Sequence, residues 1–484
     1  MEPHAEEDDR RDQSRIERQE VGDSQRCLHQ GERITGRRGP QVRDVHDVEG
    51  DPNHQSENAR QQKDRDQRGS LSRGLVGTRP RRPLNRNRIG HDGADVSRYI
   101  RAVDFDLSES EKAFRDEVRG WLKANAPARD GVGESDMKAF IENRRAWQKK
   151  LYEAGYVGIT WPKEYGGRGA GFMEQLIFND EMILAQTPEP INVIGLGMGG
   201  PVVIAHGTEE QKKRYQAPLL SAEEIWCQGF SEPNAGSDLS GLQTKAEDKG
   251  DHYLVNGQKV WTTLAHAAKW CMLLTRERKE ANPRHGLTYL LVDMESPGVE
   301  VRPLVQITGD AEFNEIFFKD VKVPKSQILG EAGEGWTVAM TTLLHERGTL
   351  GMALATRAQI TAAELAEHAR KLGRGSDPLV RQRIAQYTIE ARALQLNGYR
   401  AVTAVKRSGI PGPEGSILKL MWSELNQRMA ETAVDIAGPA GQVGDGEGWQ
   451  YQFLRSRANT IEAGSSEVLR NILAERVLGL PRSR

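Results

Sequence analysis

The sequence predicts an α+β multidomain chain: an N-terminal helical domain, a small central β domain and a C-terminal domain like a four-helix bundle. Three observations carry this. Apolar residues recur at helical spacing through 103–222. Between 223 and 327 the text turns to short β-branched and aromatic runs cut by turn residues. After Gly335 helical spacing returns, in segments long enough for a bundle.

The first helix is predicted within 106–127, where a Ser N-cap precedes Phe114, Val118, Trp121 and Leu122 on one face. Amphipathic runs at 137–155 and 173–186 follow, the former stopped by Gly155. Thr208 and the acids after it open a fourth helix, over 208–221. In the β domain, 252–263 reads as a hairpin turning at Asn256-Gly257. Further strands are expected at 269–276, 287–294, 299–304 and 314–324. The bundle helices are 336–373, 378–405, 415–438 and 466–479. The expected domains are therefore 103–222, 223–327 and 328–484.

Residues 1–102 differ in kind. They hold 21 Lys and Arg, of which only Lys63 is lysine, and 19 Asp and Glu, with Tyr99 the single aromatic. Leu, Ile, Val and Phe number 14, too few to offset the conformational entropy of folding. The segment reads as disordered, or as translated upstream sequence that is not native protein. No methionine lies between Met1 and Met137.

Over all 484 residues the net charge is −2, which points to neither nucleic acid nor a membrane surface as partner. Three distant cysteines, Cys27, Cys227 and Cys271, show no metal-ligand or disulfide spacing. No metal is expected. No apolar run nears the ~20 residues of a membrane span, and the acidic N-terminus matches neither a secretory signal nor a transit peptide. A cytoplasmic location is expected.

Two glycine-rich stretches compete for a ligand. "GLGMGG" at 195–200 matches a dinucleotide fingerprint, but helical text flanks it on both sides and Pro201 follows. It reads as a close packing contact or a turn. "GFSEPNAGSDLSG" at 229–241 is small, polar and rich in hydrogen-bonding groups, as a loop that offers backbone to a ligand would be. Twenty residues on, Trp261 and Thr263 stand two apart on a strand, a ring face beside a hydroxyl donor. A flat aromatic cofactor suits that seat; so does a plain core tryptophan.

"SEPNAGSDLSG", "DHYLVNGQKVWTT", "FNEIFFKDVKVP" and "IEAGSSEVLRNILAERVLG" stand in an order and spacing that resembles the acyl-CoA dehydrogenase family, across essentially all of 103–484. The resemblance implies bound FAD, an acyl-CoA substrate, an electron-transfer flavoprotein as acceptor and a homo-oligomer, dimer or tetramer; heteromers also occur among relatives. It implies flavin contacts from Phe230, Ser231, Ser237, Trp261, Thr263, Ser466 and Glu467. It implies an arginine reaching a neighbouring subunit's FAD, Arg370 or, past an insertion, Arg374. Ser237, Arg347 and Gly464 fall at substrate positions. Where members often read Asn-Gly after Trp-x-Thr, this chain has Leu264-Ala265-His266.

The resemblance implies FAD-dependent oxidation of an acyl-CoA thioester to the trans-2-enoyl-CoA, a reaction that needs a carboxylate to remove the α-proton. Many members carry Glu just before the Gly of the C-terminal motif; that slot here is Ala463, and Glu462 is one residue early. Members like isovaleryl-CoA dehydrogenase place the base on the long helix, where this chain has Glu346 in "LLHERGT". Ala339, Leu343, Glu346, Leu350 and Ala353 share one helical face, so Glu346 interrupts an apolar stripe. Glu346 is the expected base and Glu462 the runner-up. An acyl-CoA oxidase using oxygen, or a mainly structural subunit of a heteromer, are the alternatives.

Overall fold

The computed structural model describes residues 107–127, 136–408, 412, 415–443 and 448–482, without the side chains of 346–352 and 404–408. The expectation for 1–102 lies outside these residues.

Five helices open the described chain. Helix α1 (Glu109–Asn125) starts at a capping box in which Ser108 and Glu111 satisfy each other's backbone N–H. Helices α2 (Met137–Glu153) and α3 (Phe172–Leu184) follow. A π-helical turn, Gly195–Gly199, runs directly into α4 (Gly200–His206). Helix α5 (Glu209–Leu220) begins with a second capping box, Thr208 with Gln211. The same Gln211 amide donates to the carbonyls of Ser326 and Ile328, tying this helix to the far end of the β domain.

Among the described residues seven strands form one sheet: β1 (Trp226–Gly229), β2 (Lys245–Asp248), β3 (His252–Thr263), β4 (Trp270–Arg276), β5 (Leu287–Asp293), β6 (Val299–Leu304) and β7 (Phe313–Pro324). The order is β1-β4-β2-β3-β7-β6, with β5 also on β4. The hairpin expected at Asn256-Gly257 is corrected here. Residues 252–263 are one strand, and the Asn-Gly pair forms an irregularity in its pairing with β7. Gly257 has φ +154°, and a Cβ there would lie 2.5 Å from Thr244 Oγ1 and 2.7 Å from Thr244 Cα. The glycine lets β2 pass close by, and Asn256 donates to Asp320 across the sheet. A local turn signal yields to a long-range approach.

Sheet and helices share one core. Tyr215 of α5 meets Trp226 and Trp270 edge-on, at 5.3 and 5.1 Å. Buried Asn192 joins the layers by hydrogen bonds: its Nδ2 donates to the Leu219 and Glu224 carbonyls, and its Oδ1 accepts from the Trp226 N–H.

The C-terminal domain is helical: α6 (Gly335–Lys371), α7 (Pro378–Ser408), α8 (Gly415–Ala437), α9 (Gly448–Asn459) and α10 (Ser466–Ile472), with a π turn at Leu473–Val477. Buried Ala355, Ala358, Ala362, Leu365 and Ala369 make a stripe of mostly small residues on α6 that meets Leu394, Leu425 and Met429. Sequence reading missed α9, whose apolar residues keep no clear period. It also missed β1 and β2, each only four residues long.

One carboxyl in the α3–α6 contact is set for pH dependence. Asp180 accepts from Thr356 Oγ1 at 2.8 Å, and burial pushes it up to about 6. A raised folded-state value means that this group favours folding fully at low pH. The contribution is lost as pH rises from about 4 through about 6. Asp180→Asn is expected to be more stable than the parent at pH 8, by roughly 2 kcal/mol. Thermal melts at pH 4 and pH 8 check this: the gap between variant and parent should open with rising pH.

Candidate active site

The site is built on the end of β3. Lys259 pairs with Ile316 of β7 and Thr262 with Asn314, so Val260 and Trp261 together oppose Glu315 alone. This bulge puts Trp261 at φ +61°, a conformation that a bulky residue rarely adopts. Trp261 is 61% exposed, with its ring edge-on to Phe313 at 6.2 Å. Thr262 points inward and is buried; Thr263 is half-buried on the Trp261 side. Strain of this kind persists where surrounding structure enforces it. A large apolar ring held open by a strained backbone is not a core element and can seat a flat group.

The loop after β1 is carried to that seat. The Val260 N–H donates to the Ser231 carbonyl at 2.9 Å. Lys259 Nζ, fully buried, donates to the Phe230 carbonyl at 3.0 Å and to Glu232 Oε1 at 2.9 Å. Glu232 in turn accepts from the backbone N–H groups of Gln243 and Thr244. Burial would raise the Glu232 carboxyl, but Lys259 and the N–H groups around it hold it below its ordinary value. Burial lowers the Lys259 ammonium, partly countered by Glu232. Phe230 packs inside the core, edge-on to Tyr289 at 5.8 Å. Ser231 is half-buried, and Gly236 and Ser237 are exposed.

The rim beyond Thr263, Leu264-Ala265-His266, is anchored by Asn314. Asn314 donates to the carbonyls of Thr262 and Glu312, and its Oδ1 meets His266 Nδ1 at 3.1 Å. Arg455 of α9 lies over the Phe313 ring at 5.8 Å, 3.8 Å from Glu312. Its guanidinium takes both oxygens of Glu462, at 3.2 and 3.3 Å, and Asn459 donates to Glu462 at 2.8 Å. Glu462 is thus a paired carboxylate. Ala463, at φ +52°, and Gly464, at φ +93°, form the turn before α10, and Lys419 Nζ donates to the Gly464 carbonyl. Ser466 Oγ is buried with no hydrogen-bond partner among the described residues; Glu467 beside it is exposed.

The structure therefore gathers Phe230, Ser231, Trp261 and Thr263 at one place, with Glu462 linked to them through Arg455 and Phe313. Arg370 and Arg374 are elsewhere. They pair with Glu367 and Asp377 at the C-terminal end of α6 and just past it. Arg370 lies 24 residues beyond Glu346, roughly 36 Å along the helix axis. It cannot serve the same site as Glu346 within one chain. Glu346 and Arg347 are within α6, and their side chains lie outside the described residues. Sequence reading missed Glu232, Lys259, Glu312, Asn314 and Arg455. Lys259 did leave a signal: counting by twos from Tyr253 and Val255 places it on the inward face of β3.

Three family models match the chain in order: the acyl-CoA dehydrogenase N-terminal domain over 108–223, the middle domain over 227–321 and the C-terminal domain over 333–478. The chain belongs to the acyl-CoA dehydrogenase family. It is 42% identical over 384 residues to acyl-CoA dehydrogenase IpdE1 of Mycobacterium tuberculosis, covering 76% of this chain and 97% of that one. Among solved structures, the Tcur3481-Tcur3483 steroid ACAD matches with a TM-score of 0.70 at 30% identity, over 78% of this chain and 100% of that one. The ChsE4-ChsE5 complex from Mycobacterium tuberculosis matches with a TM-score of 0.67 at 26% identity, over 78% and 100%.

Acyl-CoA dehydrogenases are FAD flavoproteins that dehydrogenate acyl-CoA, and the residues present here fit that group. The exposed Trp261 indole offers a face to a flat ring. Ser231 and Thr263 are half-open hydroxyls beside it. Among the described residues the buried Ser466 hydroxyl has no hydrogen-bond partner, a polar group in want of a bond. Among the described residues no helix is long and apolar enough to cross a membrane, and no cluster of metal-binding side chains occurs.

Proposed function

We propose that this acyl-CoA dehydrogenase oxidises a steroid-derived acyl-CoA to the trans-2-enoyl thioester, with Glu346 as the base. The exposed indole of Trp261, held open on a strained bulge beside the Ser231 loop, carries the reading. Bound FAD would supply the hydride acceptor. Phe230, Ser231, Trp261, Thr263 and Ser466 would hold that cofactor. Ser237, Arg347 and Gly464 would bind the thioester. Glu346 removes the α-proton from the face away from Trp261.

The steroid class is supported by the description of a structural neighbour as a steroid ACAD. Electrons would pass to an electron-transfer flavoprotein. Arg370, far from Glu346 along α6, suits a role at a second subunit, a copy of this chain or a related one; the ChsE4-ChsE5 neighbour is itself a complex. Anaerobic titration of the holoenzyme with straight-chain, branched and steroid-derived acyl-CoAs tests the reading. Steroid-derived thioesters are expected to bleach the flavin fastest. Bleaching by none of them would overturn it. Stoichiometric peroxide in air would favour the oxidase alternative.

A further inference from the structure

We propose that the buried Glu232–Lys259 pair is a positioning device for the cofactor, fixing the loop 230–244 against the strand that presents Trp261. The proposal rests on the reading of Trp261 and this loop as the FAD seat.

The geometry shows why the pair has reach. Lys259 lies two residues before Trp261 on β3, with its side chain fully buried. One N–H of its ammonium fixes the Phe230 carbonyl, at the start of the loop. Another meets Glu232, whose two oxygens take the N–H groups of Gln243 and Thr244, at 2.7 and 2.8 Å. The two ends of the loop thus meet at the Glu232 carboxylate, and Lys259 ties that carboxylate and the Phe230 carbonyl to the strand. Between them lie Ser231 and Ser237. The Val260 N–H, bonded to the Ser231 carbonyl, completes the clamp next to the bulge. Gly229, just ahead, has no room for a side chain: a Cβ would lie 2.8 Å from Cys271 Sγ and 3.5 Å from Lys259 Cγ.

Stability alone does not account for this arrangement. Removing one member of a buried pair is costly, yet replacing both by uncharged groups of similar size is often neutral for folding. What uncharged groups cannot reproduce is the four-point connection between loop ends and strand. Charge-assisted bonds of this kind are short and directional, and they order backbone.

The difference can be measured. Lys259→Met leaves Glu232 buried without its counter-charge and should lower both apoprotein stability and FAD affinity. The double variant Glu232→Gln with Lys259→Met removes both charges. Its apoprotein melting temperature should return close to that of the parent. Its FAD dissociation constant, followed by flavin fluorescence, should remain raised roughly tenfold or more, with altered visible circular dichroism of the bound flavin. Parental FAD affinity and dichroism in the double variant would make the pair structural only and overturn the proposal. So would a double variant whose apoprotein does not recover, since the pair would then be a requirement of the fold. A parent protein that binds no FAD would instead overturn the seat itself, a separate outcome visible before any variant is made.

Discussion

Glu346→Gln is expected to bind FAD with an ordinary yellow spectrum, to bind acyl-CoA, and to be reduced by it at least about a hundredfold and up to about ten-thousandfold more slowly. The amide keeps the volume and polarity of the carboxylate but cannot take the α-proton. Stopped-flow absorbance under anaerobic conditions reads the reduction rate directly, and substrate binding is read separately by perturbation of the flavin spectrum. Glu462→Gln is the matched control. Both Glu462 oxygens are already engaged by Arg455, and Asn459 donates to one of them, so this carboxylate is committed to holding α9 against the turn before α10. Glu462→Gln should cost stability and leave flavin reduction within a few-fold of the parent. The opposite pattern, normal reduction in Glu346→Gln and lost reduction in Glu462→Gln, would transfer the role of base to Glu462.

The seat and its surroundings were unequally legible in the sequence. Long helices announce themselves, because α1, α2 and α5 repeat their apolar residues over several turns and begin at Ser108, Asp136 and Thr208 caps. Trp261 and Thr263 were visible as a ring and a hydroxyl two residues apart. The bulge that exposes the ring was not, since it depends on the register of β3 against β7, some fifty residues away. Asn256-Gly257 misled for the same reason. The pair is a strong local turn signal, and it is overruled by Thr244, the residue before β2, packing against a glycine with no side chain. Lys259 stood on the inward face of its strand by simple alternation. Its partner Glu232 is 27 positions away in the loop, so only the fold reveals that they meet. Arg455 and Glu312 are hidden likewise, joined across 143 positions of sequence.

The same tension between local and long-range signals makes Gly200→Ala a sharp case. Helix propensity favours alanine over glycine by about 1 kcal/mol, so local physics predicts a gain. Packing predicts a loss. Gly200 is buried, with its backbone helical at φ −61°. A methyl group there would lie 2.7 Å from Cζ3 of Trp161 and closer still to Cη2 and Cζ2. Trp161 is itself a core residue, 5% exposed, and has little freedom to retreat. Overpacking of a tight core typically costs 1–3 kcal/mol, so a net loss of about 2 kcal/mol is expected, seen as a lower melting temperature. Gly197→Ala in the preceding π turn supplies the contrast, because a Cβ there meets nothing within 4 Å and should be tolerated. The "GLGMGG" run thus has a packing purpose that a phosphate-binding reading would miss. The consequence extends to the site. The π turn and α4 pack on α6, and His206 at the end of α4 meets Thr341 Oγ1 at 2.9 Å, five residues before Glu346. Pushing α4 away from Trp161 therefore presses on the helix that carries the proposed base, so Gly200→Ala should slow flavin reduction as well as lower stability. Equal stability and equal reduction rates in Gly200→Ala and Gly197→Ala would show that the indole yields and that the run is not a wedge.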